Sequence, residues 1–347
     1  MRELNIGILG ATGAVGRQML EVLEERKFNV KDLRLFAGTR SAGSKLTAFG
    51  KEWTVELTDE KRFEGLDLLL GAAENDIAEK YMPVAASMGV QVVDNSSAFR
   101  LDPEVPLVIP EVNPEDVKLT KGIIANPNCS TIIALTAVNA LHKYAGIKRM
   151  VVSTYQAVSG AGKDGIDELY NEVKKLSEGG SLGKEDFKVF PYQIAYNLIP
   201  QIGGFDDVGY TSEEMKMQNE GRKMLHDPKL RVNCTCVRVP VVRSHSESIN
   251  LEFEREISPE KARELLKEAP GVKLCDEPSE KVYPMPLLTS DQDLVYVGRI
   301  RRDISATEDE YDRSLTLFCC GDQVRKGAAT NAVQIAELLF NQSQSES

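Results

Sequence analysis

Two kinds of apolar pattern alternate through the first third of the chain. Leu4 to Gly10 (LNIGILG) is a near-continuous apolar run of strand length. Ala14 to Lys27 (AVGRQMLEVLEERK) sets Val15, Met19, Val22 and Leu23 on one face at helical spacing. Leu33 to Ala37 reads as a second strand. Leu66 to Ala73, Asn75 to Gly89 and Val90 to Asn95 then read as strand, helix and strand. Strands that are apolar on both faces and joined by helices predict a parallel sheet covered on both sides. Gly122 to Asn126 (GIIAN) predicts a further strand, one that leads directly to Cys129.

Beyond about residue 150 the pattern changes. Arg149 to Gly160, Val232 to Val242, Ser248 to Ile257, Asp293 to Asp303 and Ser314 to Cys320 read as strands. In SINLEFEREI, Ile249, Leu251 and Phe253 alternate with Asn250, Glu252 and Glu254. That predicts an antiparallel sheet with one face on a core and the other solvated or at an interface. Helices are expected over Gly165 to Leu176 and Ser258 to Lys267, the second opened by a serine cap and a first-turn proline. A last helix over about Gly327 to Phe340 is expected to return to the first domain, and QSQSES at the end reads as a frayed tail. The expected fold is α/β. A Rossmann-type doubly wound parallel sheet spans 1–128 and 327–347, and an α+β catalytic and dimerisation domain spans 129–326.

Composition narrows the classes. At 347 residues, with 42% hydrophobic and 27% charged residues, the chain suits a two-domain globular protein. A net charge of −11 argues against nucleic-acid binding, although a local basic cluster can still attract a small anion. The six cysteines show no disulfide framework, and with only three histidines no zinc site or other metal centre is expected. No stretch resembles a signal peptide or a membrane span. These features predict a cytoplasmic protein in a reducing compartment.

Candidate chemistry begins at GATGAVG, where Gly10, Gly13 and Gly16 follow a strand and open a helix. Such a loop brings backbone N–H groups and a helix dipole to a pyrophosphate. After the second strand, where an NAD site carries an acid for the ribose, the sequence is FAGTRSAG. Arg40 and Ser41 in that turn suit the extra phosphate of NADP. In IIANPNCSTIIAL, Pro127 and Asn128 stop a strand and Cys129 opens a helix. A thiol there has its pKa lowered and lies beyond the carboxyl end of a strand, where α/β sheets place ligands. A thiolate beside a nicotinamide points to aldehyde oxidation through a thiohemiacetal and a thioester. The proton shuttle it needs is best supplied by His245, in the turn RSHSES. His142 lies inside a helix and His226 at a helix end.

Ordered motifs over nearly the whole chain resemble the bacterial-type aspartate-β-semialdehyde dehydrogenases. They are GATGAVG, NSSAFR ending at Arg100, NPNCST around Cys129, QAVSGAG from Gln156, EEMK at Glu213 to Lys216, RVPVVRSH from Arg238 to His245, and GDQVRKGAA. The resemblance implies reversible, NADP-dependent interconversion of L-4-aspartyl phosphate and L-aspartate 4-semialdehyde, feeding lysine, diaminopimelate, methionine, threonine and isoleucine synthesis. It implies a second domain like that of glyceraldehyde-3-phosphate dehydrogenase, and a homodimer.

By motif, the resemblance makes Cys129 the nucleophile, His245 the acid/base and Gln156 the group that orients substrate or thioester. It gives Arg238 to the α-carboxylate, Glu213 to the ammonium group, and Arg100 and Lys216 to phosphate. Gly10, Thr12, Gly13, Ala14, Val15, Arg40, Ser41, Ser159, Gly160 and Gln323 fall to NADP, with Asn331 an alternative to Gln323. Read from residues alone, Glu213 and Lys216 also fit an ordinary i,i+3 helix ion pair. Likewise Gln156 fits a solvent-facing strand position. Two rivals are N-acetyl-γ-glutamyl-phosphate reductase, which needs no counter-ion such as Glu213, and a non-catalytic NADP-binding redox sensor, which needs no phosphate site.

Overall fold

A computed structural model of the protein describes residues 2–342, so Ser343 to Ser347 of the expected tail lie outside the described residues. The chain divides into two compact units. One comprises 1–128, 223–225 and 327–347, and the other comprises 129–222 and 226–326.

The first unit opens with β1 (Leu4–Leu9), α1 (Ala14–Glu25) and β2 (Val30–Ala37), followed by β3 (Lys45–Ala48) and β4 (Lys51–Leu57). Then come β5 (Leu68–Gly71), α2 (Asn75–Ser87), β6 (Gln91–Asp94) and β7 (Ile123–Ala125). They form one seven-stranded sheet in the order β3-β4-β2-β1-β5-β6-β7. Every neighbour is parallel except the edge hairpin β3/β4, which has no counterpart in the sequence reading because its short strands are half polar. Ile6 and Ile8 of β1 are fully buried against Met19, Val22 and Leu23 of α1 and against Ala332, Val333 and Ile335 of the C-terminal helix (Thr330–Gln342). Phe36, Leu69, Met82 and Val92 fill the layer on the opposite side. That helix starts later than its periodicity predicts, because a π-helical turn over Arg325–Ala329 precedes it.

In the second unit α3 (Cys129–Ala145) is followed by β8 (Ile147–Gln156), α4 (Gly162–Ser177) and α5 (Ser212–Met224). After these come β9 (Arg231–Arg238), β10 (His245–Phe253), α6 (Pro259–Lys267), β11 (Val272–Leu274), β12 (Val295–Arg302) and β13 (Ser314–Gly321). Ser258 caps α6 by accepting the Lys261 N–H at 3.1 Å. The sheet order is β11-β12-β13-β10-β8-β9.

The sheet is mixed rather than antiparallel throughout, since β8/β9 and β11/β12 run parallel. Alternation in the sequence reports which side chains share a face, not strand direction. The long helical connection from β8 to β9 is what permits a parallel return. β8 stops at Gln156 instead of reaching Gly160, because Val158–Ala161 turns in a 3-10 helix whose Gly160 N–H bonds back to Ala157. Helix α3 packs on the inner face of this sheet, over β8, β10, β12 and β13. No helix among the described residues is long and apolar enough to cross a membrane.

Candidate active site

Inner-face side chains of β9, β8, β10 and β13 line up in rows across the strands. Arg238 pairs in register with Gln156, and His245 with Gly321. Because Ser246 pairs with Tyr155, Gln156 and His245 are also neighbours, so one row reads Arg238, Gln156, His245, Gly321. The missing side chain at Gly321 is filled by Ile133 of α3: a Cβ there would meet the Ile133 side chain at 2.9 Å. Helix α3 is thereby held with its first residue, Cys129, at the same end. Cys129 is half-buried, whereas the other five cysteines are buried.

Each polar member of the row is tethered. Gln156 Nε2 donates to Ser130 Oγ at 2.7 Å and to Glu213 Oε1 at 3.3 Å. His245 is fully buried, and its Nδ1 accepts the Ala157 N–H at 3.1 Å. A neutral imidazole that accepts at Nδ1 carries its proton at Nε2. Nε2 is buried with no partner among the described residues. Burial, with the Arg238 charge adding to it, pushes the His245 pKa down to about 3, so the ring is neutral through the physiological range.

Arg238 is 7% exposed, and among the described residues its side chain makes one hydrogen bond, Nη1 to the Ala157 carbonyl at 2.7 Å. Among the described residues no carboxylate lies within ion-pair distance of it. Burial lowers its pKa, and Cys129 and Glu213 oppose that shift. Gly160 makes room for both groups: a Cβ there would lie 2.7 Å from Arg238 Nη1 and 3.3 Å from His245 Cε1. Glu213 is buried in the first turn of α5, and its Oε2 accepts from Lys216 Nζ at 2.9 Å, the i,i+3 ion pair that the spacing allowed. Gln156 is buried in the row rather than solvent-facing.

Other expected residues of this unit are spent locally. Gln323 Oε1 accepts the Ser244 N–H at 2.9 Å, and its Nε2 donates to Ser159 Oγ. The amide therefore ties two loops together with both ends engaged.

In the first unit the glycine loop has the shape a phosphate cradle requires. Gly10 has φ +82°, and a Cβ there would sit 2.4 Å from the Ala72 carbonyl oxygen. A Cβ on Gly16 would sit 2.3 Å from the Gly10 carbonyl oxygen. The middle glycine, Gly13, is the N-cap of α1, with no side-chain cap and no acid in the first turn. Thr12 and Val15 are half-buried, and Ala14 is exposed at the helix start. Beyond β2, Arg40 is exposed in its turn beside Ser41 and makes no ion pair among the described residues. Arg100 is buried, with Nε on the Asn126 carbonyl and Nη2 on the Asn95 carbonyl. Asn331 donates to Val108 O and Asn126 Oδ1.

The family profile described as semialdehyde dehydrogenase, NAD binding domain, matches residues 5–120, and the semialdehyde dehydrogenase dimerisation domain matches residues 138–326. The aspartate-semialdehyde dehydrogenase of Aquifex aeolicus is 53% identical over 340 residues, which is 97% of this chain and 98% of that protein. This chain belongs to the aspartate-semialdehyde dehydrogenase family.

A second aspartate-semialdehyde dehydrogenase, from Bacillus subtilis, is 45% identical over 348 residues, covering 97% of this chain and 98% of that protein. The crystal structure of aspartate semialdehyde dehydrogenase II of Vibrio cholerae, complexed with ASA, superposes with a TM-score of 0.93 at 44% identity. It covers 98% of this chain and 99% of that one. For a member of this family, sequence reasoning passed over two polar groups of the site. Ser130, next to the thiol, holds Gln156. The Ala157 N–H, which sets the His245 tautomer, leaves no mark in a sequence at all.

Proposed function

We propose that this aspartate-semialdehyde dehydrogenase interconverts L-4-aspartyl phosphate and L-aspartate 4-semialdehyde with NADP, through a thioester on Cys129. Arg238 carries the reading. A buried guanidinium with, among the described residues, a single backbone acceptor and no carboxylate partner suits a ligand carboxylate, which its planar fork can take bidentately. Glu213 supplies negative charge for the substrate ammonium, and Gln156, held by Ser130 and Glu213, orients the acyl group.

The donor set of the first unit fits NADP: the cradle made by Gly10 and Gly16, the start of α1 over Thr12, Gly13, Ala14 and Val15, which has no side-chain cap, and Arg40 with Ser41 for the 2′-phosphate. By motif we give Ser159, Gly160 and Gln323 to the same cofactor, Gln323 acting by holding Ser159. When bound, the nicotinamide supplies or accepts the hydride. Residues 1–128 and 327–347 are assigned to cofactor binding, and 129–326 to catalysis and dimerisation.

In the reductive direction the Cys129 thiolate attacks the acyl carbon and the bond to phosphate breaks, phosphate leaving with the electron pair. The Nε2–H of His245 donates to the carbonyl oxygen as charge develops there. Collapse of the later tetrahedral adduct returns the thiolate and frees the aldehyde. In the oxidative direction His245 takes a proton at Nε2 only after its own has moved to Nδ1, at the cost of the Ala157 hydrogen bond. Arg100 and Lys216 are given to the attacking or departing phosphate.

We place the enzyme in the cytoplasm as a homodimer. Six free thiols support a reducing compartment. The outer face of the second sheet, with the Tyr155 and Phe318 rings 6.3 Å apart, suits a second copy. The reading is tested by phosphate-dependent NADPH formation with aspartate semialdehyde against N-acetylglutamate semialdehyde. Turnover of the first alone is expected, and preference for the second overturns it.

A further inference from the structure

Arg238 is braced by a segment that no catalytic motif includes. Between α4 and α5 the chain from Phe187 to Ile199 runs without strand or helix, and two acids of α4 hold it down. Glu168 accepts three successive N–H groups, those of Lys188, Val189 and Phe190, at 2.8, 2.6 and 3.1 Å. One turn further along α4, Glu172 Oε2 accepts the N–H groups of Ile194 and Ala195 at 2.9 and 2.7 Å. Both acids are buried. A carboxylate that gathers two or three backbone N–H groups fixes a loop more firmly than neutral side chains would, because each bond is charge-assisted.

What this latch holds in place is Phe190. Its ring is buried with Val158, Leu169, Ile194 and Ile199. The ring tip reaches Gly165 of α4 so closely that a Cβ there would meet it at 3.2 Å. The Arg238 guanidinium carbon sits over the ring, 5.7 Å from its centroid. At the far end of the segment, Ile199 exchanges both backbone hydrogen bonds with Arg238, at 2.8 and 3.0 Å. The segment therefore touches Arg238 twice, by ring and by main chain. Among the described residues the guanidinium itself is fixed by only one hydrogen bond.

We propose that Phe190, latched by Glu168, is a positioning residue that sets the plane of the Arg238 guanidinium and so determines selectivity for an aldehyde bearing an α-carboxylate. This rests on the reading of Arg238 as the carboxylate partner. A flat aromatic face restrains a guanidinium to a parallel plane and compensates some of its lost hydration, leaving the remaining N–H donors directed in one plane. An aliphatic side chain of similar volume fills the space and supplies no such restraint.

The experiment compares aspartate semialdehyde with 3-aminopropanal, which keeps the amine and aldehyde and lacks the carboxylate, in the full-length enzyme with NADP⁺ and phosphate. Phe190→Leu is expected to raise KM for aspartate semialdehyde about five- to tenfold with kcat nearly unchanged, between the worth of an exposed and of a desolvated cation–π contact. kcat/KM for 3-aminopropanal should not move, and Phe190→Tyr should restore the wild-type ratio. Equal losses on both aldehydes, or an unchanged ratio, overturn the proposal. Arg238→Ala separates the two layers of inference. If it leaves the preference for the carboxylate intact, the reading of Arg238 fails and the proposal with it. If it abolishes the preference while Phe190→Leu leaves the ratio unchanged, only the role of Phe190 falls. Should Phe190→Leu not fold, Glu168→Gln loosens the latch without altering the ring and must raise the same KM.

Discussion

Two adjacent rows on the inner face of the second sheet differ in a way that burial does not explain. The outer row is Arg238, Gln156, His245 and Gly321. One pleat deeper, in the same strands and register, lie Cys236, Thr154, Glu247 and Cys319. Glu247 is fully buried, and neither carboxylate oxygen has a partner among the described residues. Burial pushes its pKa well up, with Cys236 adding to the shift, and it pushes the Cys319 thiol up as well. The outer row is instead tied down by Ser130, Glu213 and the backbone of Ala157, and the one fully buried side-chain atom in it that lacks a partner among the described residues is His245 Nε2. Buried polar groups alone do not mark a site. Groups whose orientation is fixed, with donor capacity left over, do.

The largest effect expected is at the thiol above the outer row. Cys129→Ser should retain the fold and NADP affinity and lose turnover by more than about 10³-fold, since a serine alkoxide is far harder to form at neutral pH. Iodoacetamide should label Cys129 well before the five buried thiols. Rapid labelling of Cys236 or Cys319 would move the reactive chemistry to the deeper row.

Next comes His245. His245→Ala should lower kcat by about 10²–10⁴-fold, the range for a positioned proton donor. Because burial holds the ring neutral to about pH 3, the kcat/KM profile of the wild type should show no acid limb from this ring near the ordinary imidazole value. A limb near 6.5 that disappears in the variant would show the ring to be ionisable, and so more solvated than its place in the row implies.

A smaller loss is expected from Gly160→Ala. The new Cβ would fall 2.7 Å from Arg238 Nη1, so the guanidinium must shift. Loss of a well-placed charged hydrogen bond is worth about 1.5–3 kcal/mol, so KM for aspartate semialdehyde should rise at least about tenfold. An unchanged KM would mean that Arg238 tolerates displacement, and the fixed geometry claimed for the outer row would be lost.

These residues were not equally legible in the sequence. Cys129, His245 and the glycine loop stand in local patterns whose chemistry follows from residue type and from the element on either side. The parallel pairing of β8 with β9 was not legible, because a strand's alternation is the same in either direction. Nor was the pairing that leaves Gln156 and His245 side by side, since register is set by three strands drawn from distant parts of the chain. Phe190 lies in a segment with no period at all. The hydrogen bonds that fix it come from Glu168 and Glu172, which in sequence look like the polar face of a surface helix. Sequence pattern shows which groups are available, and tertiary register decides which are constrained.

Glu247 offers the smallest effect on turnover and the sharpest contrast with the outer row. Glu247→Gln should change kcat/KM less than about twofold, because nothing ties the carboxyl to His245 or Gln156, and a remote change without new contacts leaves the transition state alone. Its effect is on stability, and the sign follows from proton binding. In the unfolded chain this carboxyl loses its proton near its ordinary value of 4.5, while in the folded protein burial raises its pKa well above that. Between those two values the folded state holds one more proton, so stability is greatest at low pH and falls as pH rises, by about 1.4 kcal/mol per pH unit from this group. Of the other groups facing it, the Cys319 thiol is held protonated by burial and the Thr154 hydroxyl does not ionise, so neither compensates. Glutamine cannot ionise. The difference in unfolding free energy between variant and wild type, followed by urea titration from pH 5 to pH 8, should therefore grow with pH in favour of the variant. Parallel curves would mean that Glu247 is ionised and paired in the folded protein, and the deeper row would then be as organised as the outer one.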